Sequence, residues 1–178
     1  MSFFTWRNAN ECRKQVQNEW LTDEAMSFLY EHFLLEYFKR HYQCFNARSA
    51  EINWDITVVS KNIPKMKSDV YLTYRNKSLI IDAKFYSKTM SDYYEKKKYH
   101  SHNLYQIFTY VKNADKSKDG SVSGMLLYAK TDESETPDDD LIIGGNRISL
   151  KTLDLTRDFE VIKKKLDNIA NYLLYEKT

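Results

Sequence analysis

Two strand-like segments joined by a short turn constrain the fold of this chain more than any other part of it. Residues 68–74 and 79–84 are rich in β-branched, aromatic and aliphatic side chains, which is typical of strands, and Arg75 to Ser78 between them is typical of a hairpin turn. The second segment opens with three consecutive aliphatic residues, a pattern of strands that are covered on both faces. The sequence therefore predicts a hairpin whose second strand is buried.

Charged side chains stand at the ends of both segments. Asp69 begins the first, and Asp82 and Lys84 end the second. Because side chains two residues apart share one face of a strand, Asp82 and Lys84 project together and Ala83 offers only its backbone carbonyl. A bare Asp-x-Lys triplet is more often a surface ion pair than a site, but an unpaired Asp is costly in a buried strand. The arrangement predicts a site at which carboxylates hold Mg²⁺ for phosphodiester hydrolysis.

A helix is predicted from Thr22 or Asp23, either of which suits an N-cap, to about His41. Its apolar residues recur at helical spacing: Met26, Tyr30, Phe33 and Tyr37. Glu31 falls inside a second apolar face, which is formed by Phe28, Leu35 and Phe38. An isolated carboxylate of this kind is usually a boundary residue paired with a lysine or a backbone amide. Beside a metal site, the better interpretation is that the helix directs Glu31 toward the strand ends.

The rest of the chain supplies further elements. Alternating apolar residues predict one half-buried strand through Ile52, Trp54, Ile56 and Val58. Loops are expected from Ser87 to Ser101 and, because it is acidic, from Thr131 to Asp140. Strands are expected at residues 125–129 and, before a Gly-Gly turn, at 141–143. Apolar spacing predicts two more helices, one over Leu104, Ile107, Phe108 and Val111 and one over Phe159, Ile162, Leu166, Ile169 and Leu173.

This order of elements predicts an α/β fold with a mixed central β-sheet flanked by helices. The 178 residues are expected to form one domain, with a core at about residues 20–150 and a C-terminal helix at about 158–176. Cys12 and Cys44 lack metal-ligand spacing, and the sequence shows neither a membrane-spanning run nor a signal peptide. The expected location is therefore cytoplasmic, with no membrane partner.

A local cluster of lysines follows the predicted site: Lys88, Lys96, Lys97 and Lys98. The net charge of +2 is too small for binding nucleic acid through overall charge alone. Such a cluster is usually a solvated face, but beside a phosphate-cleaving site it also suits a DNA backbone. His100 and His102 lie in the same polar segment and are expected to be solvated.

The succession of a helix with Glu31, then Asp69, then Asp82-Ala83-Lys84, then a further helix resembles the PD-(D/E)xK nuclease superfamily. Its members have a restriction-endonuclease-like core, a mixed sheet flanked by helices. Three longer strings, at residues 79–86, 103–111 and 124–130, resemble the nuclease part of McrC, the endonuclease subunit of modified-cytosine restriction systems. The match covers roughly residues 20 to 150 and is more specific than the triplet.

The resemblance implies a role for each matching residue. Asp69, Asp82, the Ala83 carbonyl and Glu31 would hold Mg²⁺, for which Mn²⁺ is able to substitute. Lys84 would orient the attacking water and stabilise charge on the phosphate.

One further pattern comes from the predicted second helix. Gln106 and Tyr110 fit the QxxxY pattern of one branch of the superfamily, and their spacing puts both on one helical face, directed to the site or to the DNA backbone. Tyr110 is also explained as a core residue.

The implied partners are double-stranded DNA and an AAA+ GTPase motor subunit of McrB type, because the chain has no GxxxxGK[ST] loop of its own. Self-association stays open. McrC-like proteins usually carry an N-terminal portion that engages the motor, and little precedes the core here, so the chain is expected to be a fragment or a short variant. Ser68 stands where the motif name has proline.

Three functions are consistent with these residues. The leading hypothesis is a Mg²⁺-dependent DNA endonuclease whose target recognition lies in its partner. A second is a catalytically silent nuclease fold used for assembly or DNA binding, since a fold does not determine a function. A third is a RecB-like exonuclease, suggested by Gln106 and Tyr110, although the two distant cysteines cannot supply the iron-sulfur cluster of some members.

Overall fold

The structure, a computed structural model, describes residues 22–58, 61–85, 90–93, 96–130 and 136–175, and between residues 90 and 98 it describes the backbone alone. Helices α1, α2 and α3 span Asp23–His41, Ser101–Ala114 and Phe159–Leu174, and a short 3-10 helix covers Gln43–Phe45. The strands are β1 (Arg48–Ile52), β2 (Met66–Tyr74), β3 (Lys77–Lys84), β4 (Met90–Tyr93), β5 (Lys96–Tyr99), β6 (Val122–Ala129), β7 (Asp139–Ile143) and β8 (Asn146–Leu153).

A mixed sheet forms the centre of the fold, with strand order β1-β2-β3-β6-β8-β7. The strands β3, β6 and β8 run parallel to one another, so they end at the same edge of the sheet. The pairs β1-β2, β2-β3 and β7-β8 are antiparallel, and β4 and β5 form a separate hairpin. The predicted mixed α/β sheet with flanking helices is confirmed.

Helices cover both faces of this sheet. On the face covered by α1 and α3, Leu79 and Ile81 of β3 are buried in one apolar cluster. On the opposite face, covered by α2, Ile80 of β3 is buried in a second cluster. The three aliphatic residues of β3 are therefore buried on alternate faces, as their sequence predicts, and each stabilises the fold by roughly 1.5–3 kcal/mol. None of the helices in the described part of the chain is long and apolar enough to cross a membrane.

The first helix begins and ends where the sequence predicts. The hydroxyl of Thr22 accepts a hydrogen bond from the Ala25 N–H at 3.1 Å, which satisfies one of the free donors of the first turn. Acidic residues lie in that turn and basic residues lie in the last turn, and both sets of charges interact favourably with the helix dipole. The predicted helices over residues 104–111 and 159–173 are also confirmed, as are the strands at 125–129 and 141–143.

The predicted strand from Ile52 to Val58 is wrong beyond its first residue, because β1 ends at Ile52. Alternation of apolar residues indicates a strand only where a partner strand is available, and residues 53–58 have none. The indole N–H of Trp54 instead donates to the carbonyl of Pro64 at 2.7 Å. The side chains of Ile56 and Val58 are exposed.

Two predicted loops contain strands, and one strand was not predicted. Residues 90–93 and 96–99 of the expected Ser87 to Ser101 loop pair as an antiparallel hairpin, and Ser101 begins α2. The acidic loop ends before Asp139, where β7 begins, because basic side chains of β8 compensate the charge of Asp140. Residues 86–89, 94–95 and 131–135 of these loops lie outside the described residues. A further strand that was not predicted, outside these loops, is β8, which lies between β6 and β7.

Helix α2 lies close to the sheet at Gly124 of β6. A Cβ atom built on Gly124 would lie 2.7 Å from Val111, 2.8 Å from Ile107 and 3.0 Å from Ile148. These distances are shorter than normal van der Waals contacts, so any larger residue would push α2 away from the sheet. Gly124 therefore sets the position of the helix that carries Gln106.

The substitution Gly124→Ala is expected to lower the free energy of unfolding by about 1–3 kcal/mol, because the added methyl group overpacks the core. Urea unfolding followed by circular dichroism measures this change. Ser123→Ala, one residue earlier on the same strand, is the control and is expected to have little effect. An unfolding midpoint of Gly124→Ala equal to that of the wild type would contradict the close packing of α2.

Candidate active site

The strands β2 and β3 separate where the acidic residues stand. Their antiparallel pairing ends at Val70 and Ile81, and Asp69 and Asp82 are the next residues on each strand. Beyond this point the Ala83 N–H donates to the Asp69 carboxylate, at 2.7 Å, rather than to the backbone of β2. Because the N–H and C=O of one residue in a strand point to the same side, the Ala83 carbonyl faces the same opening. We call this opening the fork.

Asp82 and Lys84 lie together at the end of β3. The Lys84 ammonium is 2.6 Å from Oδ2 of Asp82, and Asp82 is only 2% exposed. Both side chains project to the face covered by α2, as their two-residue spacing predicts. The fork therefore brings Asp69, Asp82 and Lys84 together from two strands.

Helix α2 contributes a second partner to Lys84. The Lys84 ammonium donates to the amide carbonyl of Gln106 at 3.1 Å, and the amide NH₂ of Gln106 donates to the Tyr110 hydroxyl at 2.9 Å. Tyr110 itself is buried in the apolar cluster beneath α2. This position favours a structural role for Tyr110 over the predicted DNA contact.

Helix α1 places Glu31 near the same charges. The N-terminal half of α1 is held to the end of β3 by a hydrogen bond from the Ser27 hydroxyl to the Phe85 carbonyl, at 3.4 Å. Burial raises the pKa of Glu31, and the charge of Asp82 raises it further, whereas Lys84 lowers it. Glu31 is therefore close enough to the fork for its charge to interact with both residues.

Burial dominates the electrostatics of the fork. It raises the pKa of Asp69 to about 7, with Asp82 and Glu31 adding to the rise and the Ala83 N–H and Lys84 opposing it. Burial also raises the pKa of Asp82, and Lys84 only partly offsets this. Lys84 therefore interacts with the charges of all three carboxylates, but for Asp69 and Asp82 it only partly offsets the effect of burial.

This surplus of negative charge fits a divalent cation. Within the described ranges no three His, Cys, Asp or Glu side chains are gathered closely enough to hold a metal by themselves. Mg²⁺, however, is usually bound by one or two carboxylates and completes its shell with water or other oxygens. Asp69, Asp82 and the Ala83 carbonyl are suited to that mode of binding. Glu31 lies near these groups, close enough to interact with the charge of Asp82.

The predicted DNA-binding lysines are only partly described. Lys88 lies outside the described residues, and for Lys96, Lys97 and Lys98 the structure gives only their backbone, on β5. His100 is the N-cap residue of α2 and His102 is exposed on its first turn. The sequence reasoning missed a buried polar pair, Asn103 and Tyr128. Asn103 stands four residues before Ile107, inside an apolar stripe, and that position was the available signal.

In the metal-free protein, Asp69→Asn is expected to raise the free energy of unfolding by roughly 1–3 kcal/mol at pH 8. Asn keeps an oxygen for the Ala83 N–H but removes a charge that the folded state holds unfavourably. The pKa of Asp69 is about 7 when folded and ordinarily 3.8, so the wild type loses stability as the pH rises between these values. The increase in the free energy of unfolding caused by Asp69→Asn is therefore complete above pH 7. It becomes smaller as the pH falls and disappears near pH 4.

Denaturant unfolding in EDTA across this pH range measures the effect. Asp55→Asn, at an exposed position, is the control and is expected to show no such gain. Parallel pH profiles for the wild type and Asp69→Asn would contradict the burial of this charge.

Comparisons with known proteins identify the family of the chain. The sequence model of a family described as "McrBC 5-methylcytosine restriction system component" matches residues 24–129, more than half of the chain. The Type IV methyl-directed restriction enzyme EcoKMcrBC of Escherichia coli (strain K12) is 29% identical over 156 residues, which cover 85% of this chain and 44% of that protein. The chain thus spans less than half the length of this relative. Both matches confirm the resemblance inferred from the sequence, and the chain belongs to the McrBC family of restriction system components.

Proposed function

We propose that this chain is the Mg²⁺-dependent DNA endonuclease part of a McrBC-like restriction system, with a PD-(D/E)xK fold. The observation that carries the proposal is the fork, where Asp69 and the Asp82-Lys84 pair meet at the open end of a buried strand. The E. coli relative is named a methyl-directed restriction enzyme, which supports DNA as the substrate. The function is phosphodiester hydrolysis in defence against foreign DNA.

The oxygen atoms of the fork would hold the cation. Asp69, Asp82 and the Ala83 carbonyl are the proposed ligands of Mg²⁺ or Mn²⁺, with Glu31 completing the set from α1. When bound, the cation supplies positive charge to the phosphate and lowers the pKa of water. The chain's part is to fix these oxygens, which the Ala83 N–H does for Asp69 and the contact with Lys84 does for Asp82.

Lys84 is the proposed group that orients the attacking water and stabilises charge on the phosphate. Its ammonium is held by the carboxylate of Asp82 on one side and by the amide of Gln106 on the other. Gln106 is a neutral acceptor, so it fixes the ammonium without neutralising its charge. The contact with Gln106 therefore helps to hold Lys84 in the position that this role requires.

Recognition and movement along DNA are assigned to a partner. The sequence has no phosphate-binding GxxxxGK[ST] loop, so an AAA+ GTPase motor of McrB type is the proposed source of nucleotide-driven work. The family description names 5-methylcytosine, which is the proposed mark on the target DNA. The hairpin that contains Lys96, Lys97 and Lys98, together with Lys88 before it, is the proposed contact with the DNA backbone.

A catalytically silent assembly module is the second candidate. In its favour, the part of the chain that the structure describes gathers no compact set of three metal-binding side chains. The RecB-like exonuclease alternative rests on Gln106 and Tyr110, and comparing cleavage of linear and circular DNA separates it from an endonuclease.

Asp82→Ala is expected to reduce nicking of supercoiled, cytosine-methylated plasmid by the Mg²⁺-loaded chain with its motor partner. The loss should exceed the roughly 10–100-fold typical of removing an outer partner of a metal site, because a proposed ligand itself is removed. Gel assays with Mg²⁺, Mn²⁺ or EDTA measure the change. The exposed Asp55→Ala is the matched control and should cut normally.

Calorimetric titration with Mn²⁺ adds a readout that does not need cleavage. Wild type should bind the ion and Asp82→Ala should not. Binding of Mn²⁺ without cleavage by the wild-type complex, or cleavage that survives Asp82→Ala, would refute the nuclease assignment.

A further inference from the structure

A buried polar pair ties α2 to the sheet beside the fork. The amide NH₂ of Asn103 donates a hydrogen bond to the Tyr128 hydroxyl at 3.3 Å, and both residues are 0% exposed. Tyr128 is the neighbour of Lys84 in the sheet, because the parallel register of β3 and β6 pairs these two residues. The pair therefore connects the first turn of α2 to the strand position beside the lysine.

A contribution to stability does not by itself explain why Asn103 and Tyr128 occupy these buried positions. A buried hydrogen bond contributes only about 0.5–1.5 kcal/mol net, and two apolar groups of the same shape are often as stable. Farther along α2, Ile107 and Val111 already pack closely against β6 at Gly124. A directional contact at the first turn adds something that apolar packing lacks, namely a defined position for the start of the helix.

Gln106 depends on that position. It lies three residues after Asn103 on the same face of α2, and its two hydrogen bonds, to Lys84 and Tyr110, have lengths of 3.1 and 2.9 Å. A hydrogen bond weakens steeply once its distance and angle leave the normal range. A small shift of the first turn of α2 would therefore separate Gln106 from Lys84.

We propose that Asn103 and Tyr128 are positioning residues, which fix the first turn of α2 on β6 and thereby hold Gln106 against the Lys84 ammonium. Both act through Gln106. Their effect on DNA cleavage rests on the proposed nuclease function, whereas their effect on Gln106 is independent of it.

The first test needs neither DNA nor metal. Tyr128→Phe removes the hydroxyl and keeps the ring, so it separates positioning from packing. In the ¹⁵N-labelled full chain, the side-chain NH₂ signals of Gln106, assigned by their loss in Gln106→Leu, are expected to shift and to exchange faster with solvent in Tyr128→Phe. Asn103→Ala, which removes the donor instead, is expected to give the same response.

The control is Tyr42→Phe, which removes a hydroxyl that donates to Asp167 at 2.6 Å, at the C-terminal end of α1. This variant loses a comparable hydrogen bond and should leave the Gln106 signals in place. Unchanged Gln106 signals in Tyr128→Phe, or an equal change in Tyr42→Phe, would overturn the inference.

The second test uses the chain with its motor partner. Tyr128→Phe is expected to lower kcat about 10-fold or more, with KM for DNA changed less than about twofold, because a misplaced group acts on the chemical step. On a Gln106→Ala background the same substitution should cause no further loss, since the hydroxyl acts through Gln106. Equal losses on both backgrounds would overturn the proposed route.

The two tests also separate the two proposals. If the Gln106 signals respond as expected but the wild-type complex binds metal and leaves DNA intact, the nuclease function fails and the positioning role stands. If the complex cuts DNA and the Gln106 signals do not respond, the positioning role fails alone.

Discussion

The hydrogen bond from the Ala83 N–H to the Asp69 carboxylate is the contact on which the candidate site depends. At this point β2 and β3 stop pairing, and a buried backbone donor without a partner would cost about 1–3 kcal/mol. The Asp69 carboxylate accepts the hydrogen bond that the backbone of β2 would otherwise accept. The sheet is therefore able to open between β2 and β3, while β2 stays paired with β1 and β3 with β6. The same contact holds one carboxylate beside the next, Asp82. An uninterrupted ladder would have left no opening at this point of the sheet.

Two acidic clusters in this chain show how a site differs from a structural ion network. Asp140 is also partly buried, yet hydrogen bonds from Ser149, Lys151 and Arg147 outweigh that burial and hold its pKa below the usual range. Asp69 is surrounded by other carboxylates and its pKa is raised to about 7. In the first cluster, hydrogen bonds from basic side chains outweigh burial, whereas in the second the nearby Lys84 only partly offsets burial and the neighbouring carboxylates. Ionisable groups whose charged form destabilises the folded protein are characteristic of functional sites.

Local periodicity predicted the elements that carry the fork, and tertiary partners decided the rest. The aliphatic run of β3 and the capped α1 helix are properties of short segments, so their sequence was sufficient. The alternation from Ile52 to Val58 predicted a strand that has no partner in the fold. The strand β8 was missed although Ile148 and Leu150 alternate with polar residues, and that alternation was the available signal. Its basic residues Arg147 and Lys151 pair with Asp140 of β7. At the site, strand period placed Asp82 beside Lys84, but no pattern reveals that Asp69 replaces a backbone partner of Ala83.

The position of Lys84 depends on a helix as well as on a strand. Its contact with Asp82 depends on the charge of that carboxylate, which changes with protonation and with any cation bound there. Its contact with Gln106 involves a neutral amide, so it does not depend on the charge of Asp82. Strand β3 therefore supplies the charged pair Asp82 and Lys84. Helix α2 supplies, through Gln106, a hydrogen bond to the lysine that does not depend on the charge of Asp82. Because α2 also packs closely against Gly124, the position of Gln106 is set by a closely packed part of the core.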